Sequence, residues 1–187
     1  PIDFIDEGGG RRRGLGDVAV AFKRTLHASH VRGRIAAAGM EVVFPTGRES
    51  EGLGNGYTVF EPFAMWGQVL PRNGFLQMHG GAELPTDTTR KPRELFLRTA
   101  AGMTYATDRG FGRAWSPQVE VLWARAEGGE PEWDIVPQMQ VTLSKLQHVA
   151  IAAGVRIPLT ERDERRTQFV AYLLWDWFDG SFLEFWR

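Results

Sequence analysis

Four histidines are the first residues of this chain to test for chemistry: His27, His30, His79 and His148. A metal centre wants two of them at close spacing with a further ligand at hand. His27 and His30 would leave an extended segment on opposite sides, so they read as polar wall or turn residues, and no metal site is expected. Ser144 and His148 suggest a nucleophile and its base, but nothing nearby orients them, and no Gly-x-Ser-x-Gly elbow occurs. Gly8-Gly9-Gly10 followed by Arg11-Arg12-Arg13 imitates a phosphate loop without its Gly-Lys-Ser/Thr ending. It reads as a flexible basic loop able to touch anionic lipopolysaccharide. Neither a catalytic residue nor a cofactor is expected, so the chain is not read as an enzyme.

The more telling polar residues are defined by position. Lys23, Glu41, His79, Arg98, Glu120, Gln138, Gln140 and Arg156, joined by Gln77, Glu83, Gln118 and Thr142, fall opposite an apolar parity. Charges of both signs on one side suit a water-filled lumen lined for selectivity. They also suit a salt-bridge network that fills a narrow barrel. The residues leave both readings open.

Strands must hold this set. From Ile135 the odd positions read Ile135, Pro137, Met139, Val141 and Leu143, against Gln138, Gln140 and Thr142 at even ones. Later, Val149, Ile151, Ala153, Val155, Ile157 and Leu159 share one face. A period of two means β-strands. Their length exceeds the usual five or six residues and meets the roughly nine to eleven of a bilayer-crossing strand.

About nine such segments are expected, near Asp17–Ala28, Arg34–Pro45, Tyr57–Leu70, Phe75–Leu84, Leu95–Tyr105, Ser116–Ala126, Trp133–Leu143, His148–Leu159 and Gln168–Phe178, with almost no helix. Gly, Pro, Asn and Asp punctuate the junctions. Pro71-Arg72-Asn73-Gly74 and Ser144–Gln147 are short turns, whereas Thr46–Gly56, Pro85–Arg93, Arg125–Glu132 and Thr160–Arg166 are longer and charged. Outer-membrane barrels alternate in this way. Counting back from Gln168–Phe178 makes Pro1–Asp6 the end of an ascending strand and Glu7–Gly16 an outside loop. An even strand number then implies about ten strands or more in one barrel spanning 1–187, with the N-terminal part cut short.

Composition agrees. The charge is balanced at 22 Lys+Arg against 23 Asp+Glu, so no nucleic-acid partner is expected. Cysteine is absent, which excludes disulfides and Cys-ligated metals. A mean hydropathy of −0.27 does not exclude a barrel, in which only alternate residues meet lipid. Tyr57, Trp66, Phe75, Tyr105, Trp115, Trp133, Trp175 and Trp177 lie near the expected strand ends, as interfacial girdles would. Glu61 breaks the pattern, sharing a parity with Val59, Phe63 and Met65, and suggests a bulge beside Pro62 that flips the register. Arg125 shares the parity of Val121 and Trp123 but lies at a strand end.

Gly14-Leu15-Gly16-Asp17-Val18, Phe44-Pro45-Thr46-Gly47, Gly52-Leu53-Gly54-Asn55-Gly56, Ser116-Pro117-Gln118-Val119-Glu120, the run from Val136-Pro137-Gln138 to Pro158-Leu159, and Tyr172 to Gly180 follow one another in order. Together they resemble the Gram-negative outer-membrane β-barrels labelled as transporters of the meta-pathway of phenol degradation. The resemblance covers nearly the whole chain. It implies an outer-membrane location, lipid as the partner, and passage of small aromatic or other hydrophobic compounds, and it carries no catalytic residues. The expected function is passive passage through an outer-membrane barrel. A soluble ligand-binding barrel, with the apolar parity turned inward, and a plugged structural barrel are the alternatives.

Overall fold

Two-residue periodicity with an apolar face and few α-formers carries this chain into a single kind of structure. The computed structural model describes residues 2–7, 10–108, 111–143, 149–163 and 165–175. A hairpin, β1 (Ile2–Glu7) with β2 (Gly10–Leu15), stands apart as its own sheet. The other strands are β3 (Val18–Ser29), β4 (Arg34–Phe44), β5 (Val59–Leu70), β6 (Gly74–Pro85), β7 (Glu94–Met103), β8 (Tyr105–Asp108), β9 (Phe111–Ala126), β10 (Glu132–Thr142), β11 (Val149–Pro158) and β12 (Gln168–Trp175). They form one 10-stranded sheet in the order β12-β11-β10-β9-β7-β6-β5-β4-β3, with β8 on β9. Every pairing is antiparallel. The helical element among the described residues is a 3-10 turn at Glu49–Glu51.

All nine expected segments are strands. No pairing joins β3 to β12 among the described residues, so the sheet is antiparallel and up-and-down but not closed by hydrogen bonds. The tenth strand differs from the expected one. Residues 2–7 do not run alongside β3; they pair with Gly10–Leu15, so the Gly10–Arg13 part of the expected loop is strand. β2 leads through Gly16-Asp17 directly into β3. The tenth member of the large sheet is instead β8, which with the long β9 prolongs one hairpin beyond the other short-turn ends. The expected turn at Ser144–Gln147, His148, and the Trp177 end of the last segment lie outside the described residues.

The short turns have the expected chemistry. Arg72 and Asn73 both take positive φ, 59° and 60°, the backbone of a twisted hairpin turn. Residues 45–58, 86–93 and 159–167 make the long connections, whereas 127–131 is shorter than expected because β9 and β10 run further.

The register is staggered. One row of partners runs Ile35, Gly67, Gln77, Ala100, Glu120, Val136, and the register on either side of Val136 carries it on to Arg156 and Gln168. It begins beside a short turn at the start of β4 and ends beside a long connection at the start of β12. Such a climb is the tilt that a curling sheet requires.

The two faces differ in burial. Ala37, Phe96, Ala100, Ser116, Asp134, Val136, Gln138, Ala150 and Ala152 are buried and lie on one face, here termed inner. The opposite, outer face exposes Phe22, Met40, Val119, Trp133, Ile151 and Leu173. On β11 the contrast is residue by residue: Ile151 is 45% exposed and Ala152 0%. Since no second layer among the described residues covers the inner face, the sheet must curl over its own inner side chains.

Three of the ordered motifs meet at the long-connection end. The Asp17 carboxylate accepts from the amides of Gly47 (3.0 Å) and Asn55 (2.8 Å). The Thr46 hydroxyl oxygen accepts from the Val18 amide at 2.9 Å, and Leu53, 2% exposed, packs under Gly14. A Cβ at Gly47 would meet the Leu53 carbonyl oxygen at 2.1 Å, so only glycine fits there. These residues anchor the 45–58 connection. Asp17→Ala is expected to cost about 1–3 kcal/mol, because two amides lose a charged acceptor. A lower urea midpoint of the folded chain checks this, and Asp17→Asn, which keeps one acceptor, should lose less.

Candidate functional site

Strand partners project to the same side of a sheet, so the register decides which residues share the inner face. Lys23 lies opposite Gly39, and His79 opposite Arg98. Glu120 lies between Ala100 and Val136, Gln138 between Gln118 and Gly154, and Gln140 between Ser116 and Ala152. Glu41 and Arg156 have the same parity on their strands. All eight expected lining residues are therefore brought to one face. Gln77, Glu83, Gln118 and Thr142 join them.

The expectation for Glu61 needs correction. The β4–β5 register runs without a break from Val43↔Val59 to Arg34↔Gln68, so no bulge intervenes at Pro62. Glu61 faces inward because its whole parity does, with Phe63 and Met65; the outer residues of β5 are Phe60, Pro62, Ala64 and Trp66. The reason is a match of size. The Phe63 ring lies over Gly39 and the Phe96 ring over Gly81, where a Cβ would come within 2.6 and 2.7 Å of a ring carbon. Aromatic residues on one strand thus fill the space that glycines leave on the next. The same match turns Phe75 inward over Gly102, not outward to a girdle. Tyr57 is in a connection under Arg90, whose guanidinium carbon is 5.5 Å from the ring centre, and Trp66 is well inside β5. Tyr105 opposite Trp115, Trp133 beside Trp123, and Trp175 keep outer positions towards strand ends.

The interior is layered. Nearest the long connections, Glu41 pairs with Glu61 and Glu83 with Glu94, and Glu61 stands opposite Glu83 in the continuing register. Like charges directly opposite repel. Lys91, from the 86–93 connection, relieves this by an ion pair with Glu83. Burial opposes the charge of Lys91, but the Glu83 bond and charge outweigh it and hold the ammonium above its ordinary value. Below lies an aromatic layer in which His79 contacts Phe63 and Phe96 edge-on, both at 5.2 Å between ring centres. The Arg98 guanidinium sits 5.0 Å from the Phe96 ring centre, an arrangement favoured by the ring quadrupole.

Two cavities open on this face. One, of about 460 Å³, is lined by Lys23, Met65, Gln77, His79, Arg98 and Glu120. The other, of about 470 Å³, shares Arg98 and Glu120 and adds Phe96, Asp134, Arg156 and Tyr172. Asp134, 2% exposed, accepts from Arg156 Nε at 2.6 Å and Arg165 Nη2 at 2.7 Å. The sequence reading missed Asp134, Glu94 and Phe96. Extending the parity of Gln138 back along β10 would have found Asp134. Phe63 and Phe96 show no signal until their glycine partners are known.

This arrangement can hold water and polar solutes beside charges of both signs. Among the described residues no group of His, Asp and Glu is placed to hold a metal ion. Comparison with protein-family models and with curated proteins finds no match, so the resemblance to outer-membrane transporters rests on its motifs alone.

Phe96→Ala should remove the ring that covers Gly81 and bears His79 and Arg98, costing about 3 kcal/mol. Urea unfolding of the folded chain reads this as a lowered midpoint, and Phe96→Leu should recover most of it.

Proposed function

We propose that this chain forms the wall of an outer-membrane β-barrel of a Gram-negative bacterium and allows passive passage of small molecules along its inner face. The observation that carries the reading is the sheet's polarity: the apolar parity is exposed and the charged parity is turned to the buried side. Water is a poor solvent for an outer face bearing Phe22, Met40, Trp133, Ile151, Phe169 and Leu173. Hydrocarbon is a good one. An exposed apolar surface of this continuity marks a membrane or partner site.

The few charges on that face support the assignment. Among the strand residues whose side chains are described they are Arg24, Arg34 and Arg125. Arg34 opens β4 and donates to Gln68 at 2.5 Å, and Arg125, next to the end of β9, donates to the Gly129 carbonyl. Arg24 is the exception at mid-strand, on the edge strand β3. A lipid-facing Arg at the midplane costs about 2–4 kcal/mol, and less toward the interfaces.

The alternative with the apolar parity inward finds no support in the burial pattern. Between passage and a plugged barrel, the two cavities favour passage of small solutes, since both open onto charged and amide side chains rather than closing into a packed core.

Ile151→Arg should block membrane assembly by placing a charge in lipid, at about 2–4 kcal/mol, whereas Gln140→Arg on the inner face should assemble. Heat-dependent gel mobility of outer-membrane fractions distinguishes them. Equal behaviour of the two variants, or a chain that stays monomeric in plain buffer, would contradict the reading.

A further inference from the structure

Two of the long connections send a cation back onto the inner face. Lys91 reaches Glu83 near the end of β6, and the connection that carries it is braced: Asp87 accepts from the Thr89 amide and hydroxyl at 3.0 and 2.6 Å, and Thr86 donates to the Thr58 carbonyl. Arg90, its neighbour, pairs with Glu49 of the 45–58 connection. Further along the sheet, on the same inner face, Arg165 crosses from the β11–β12 connection to β10. There its Nη2 lies 2.7 Å from Asp134 and 3.3 Å from Glu132. Arg156 binds the same Asp134 oxygen, so one carboxylate holds two guanidiniums.

These contacts are costly to arrange if the connections were simply solvent loops. A surface ion pair contributes about 0–1 kcal/mol and gives little reason to bury its partners. Here the Asp134 side chain is 3% exposed and Arg165 20%. The Arg165–Asp134 pair also leaves capacity unused: Asp134 Oδ1 and Arg165 Nη1 are buried without a hydrogen-bond partner. An Arg–carboxylate fork would use both atoms, and two parallel bonds hold harder than one. Arg165 thus holds Asp134 through one nitrogen, with Glu132 as its longer second partner, a weaker hold than a fork.

We propose that the β6–β7 and β11–β12 connections are covers latched over the mouth of the inner face, the first by Lys91 on Glu83 and the second by Arg165 on Asp134. Release of either pair loosens the part of its connection that lies over the inner face and widens the path, while the β6–β7 connection stays tied at Thr86 and Arg90. The reading of the inner face as a passage supplies the consequence for flow, while the latching itself stands on the ion pairs.

Two measurements on the full chain, folded in detergent or bilayers, separate these layers. Asp134→Asn keeps the size of the side chain and every tryptic site, so limited trypsinolysis at Arg162, Arg165 and Arg166 reports the freedom of the second cover. Cleavage is expected to be at least about tenfold faster than in the unmodified chain, the scale of a lost charged hydrogen bond. Glu83→Gln should speed cleavage after Arg90 in the same way and serves where Asp134→Asn fails to fold, as judged by heat-dependent gel mobility. Equal cleavage rates in both variants and the parent overturn the latch. Conductance in planar bilayers is the second reading, and it should rise in each released variant. Faster cleavage with unchanged conductance overturns the covering role. A parent and variants that conduct nothing defeat the passage reading instead, and the cleavage rates still decide the latch.

Discussion

The outward apolar parity of a single-layer sheet constrains everything else in this structure. A sheet has two faces, and a soluble protein turns its apolar one toward a second layer. Here no second layer exists among the described residues, and the parity that carries the charges is the one that also carries the buried residues. The inner side chains reach burial only because the sheet curls, and the outer ones find no cover at all. Strand lengths, stagger and the placement of charges all follow from that division.

Curling has its own requirements. Partner rows climb from the short-turn end of β4 to the long-connection end of β12, which tilts the strands relative to the axis of curvature. Crowding on the concave side is relieved by pairing Phe63 with Gly39 and Phe96 with Gly81. Glycine is usually unfavourable within a strand, and here each one makes room for a neighbouring ring. The polar groups then sort by place: a row of glutamates near the connections, His79 and Arg98 against aromatic rings, and Asp134 buried between two arginines.

Much of this was legible in the residues. Period two located the nine long strands, and the parity of β3, β4, β6, β7, β9, β10 and β11 put the eight named polar residues on one face. Turn chemistry located Arg72-Asn73. What escaped has physical causes. On β5 both parities are apolar, Phe60 and Trp66 on one and Phe63 and Met65 on the other, so hydrophobicity could not choose between them. The choice depends on glycines of β4 and β6, which a strand read alone does not reveal. Glycine and arginine content marked residues 8–13 as loop, but the pairing of Gly10–Leu15 with Ile2–Glu7 depends on a neighbour, not on propensity. Arg165 lies in a connection with no periodicity, and its partner sits two strands away.

The central claim is that hydrocarbon wets the outer face, and quenching of tryptophan fluorescence by lipids brominated along their acyl chains tests it most directly. Trp66, Trp115, Trp123, Trp133 and Trp175 stand on outer positions. The chain folded into vesicles should therefore lose a large part of its emission when ordinary lipid is replaced by brominated lipid. Emission unchanged by brominated lipid, from a folded chain mixed with the same vesicles, would contradict the claim.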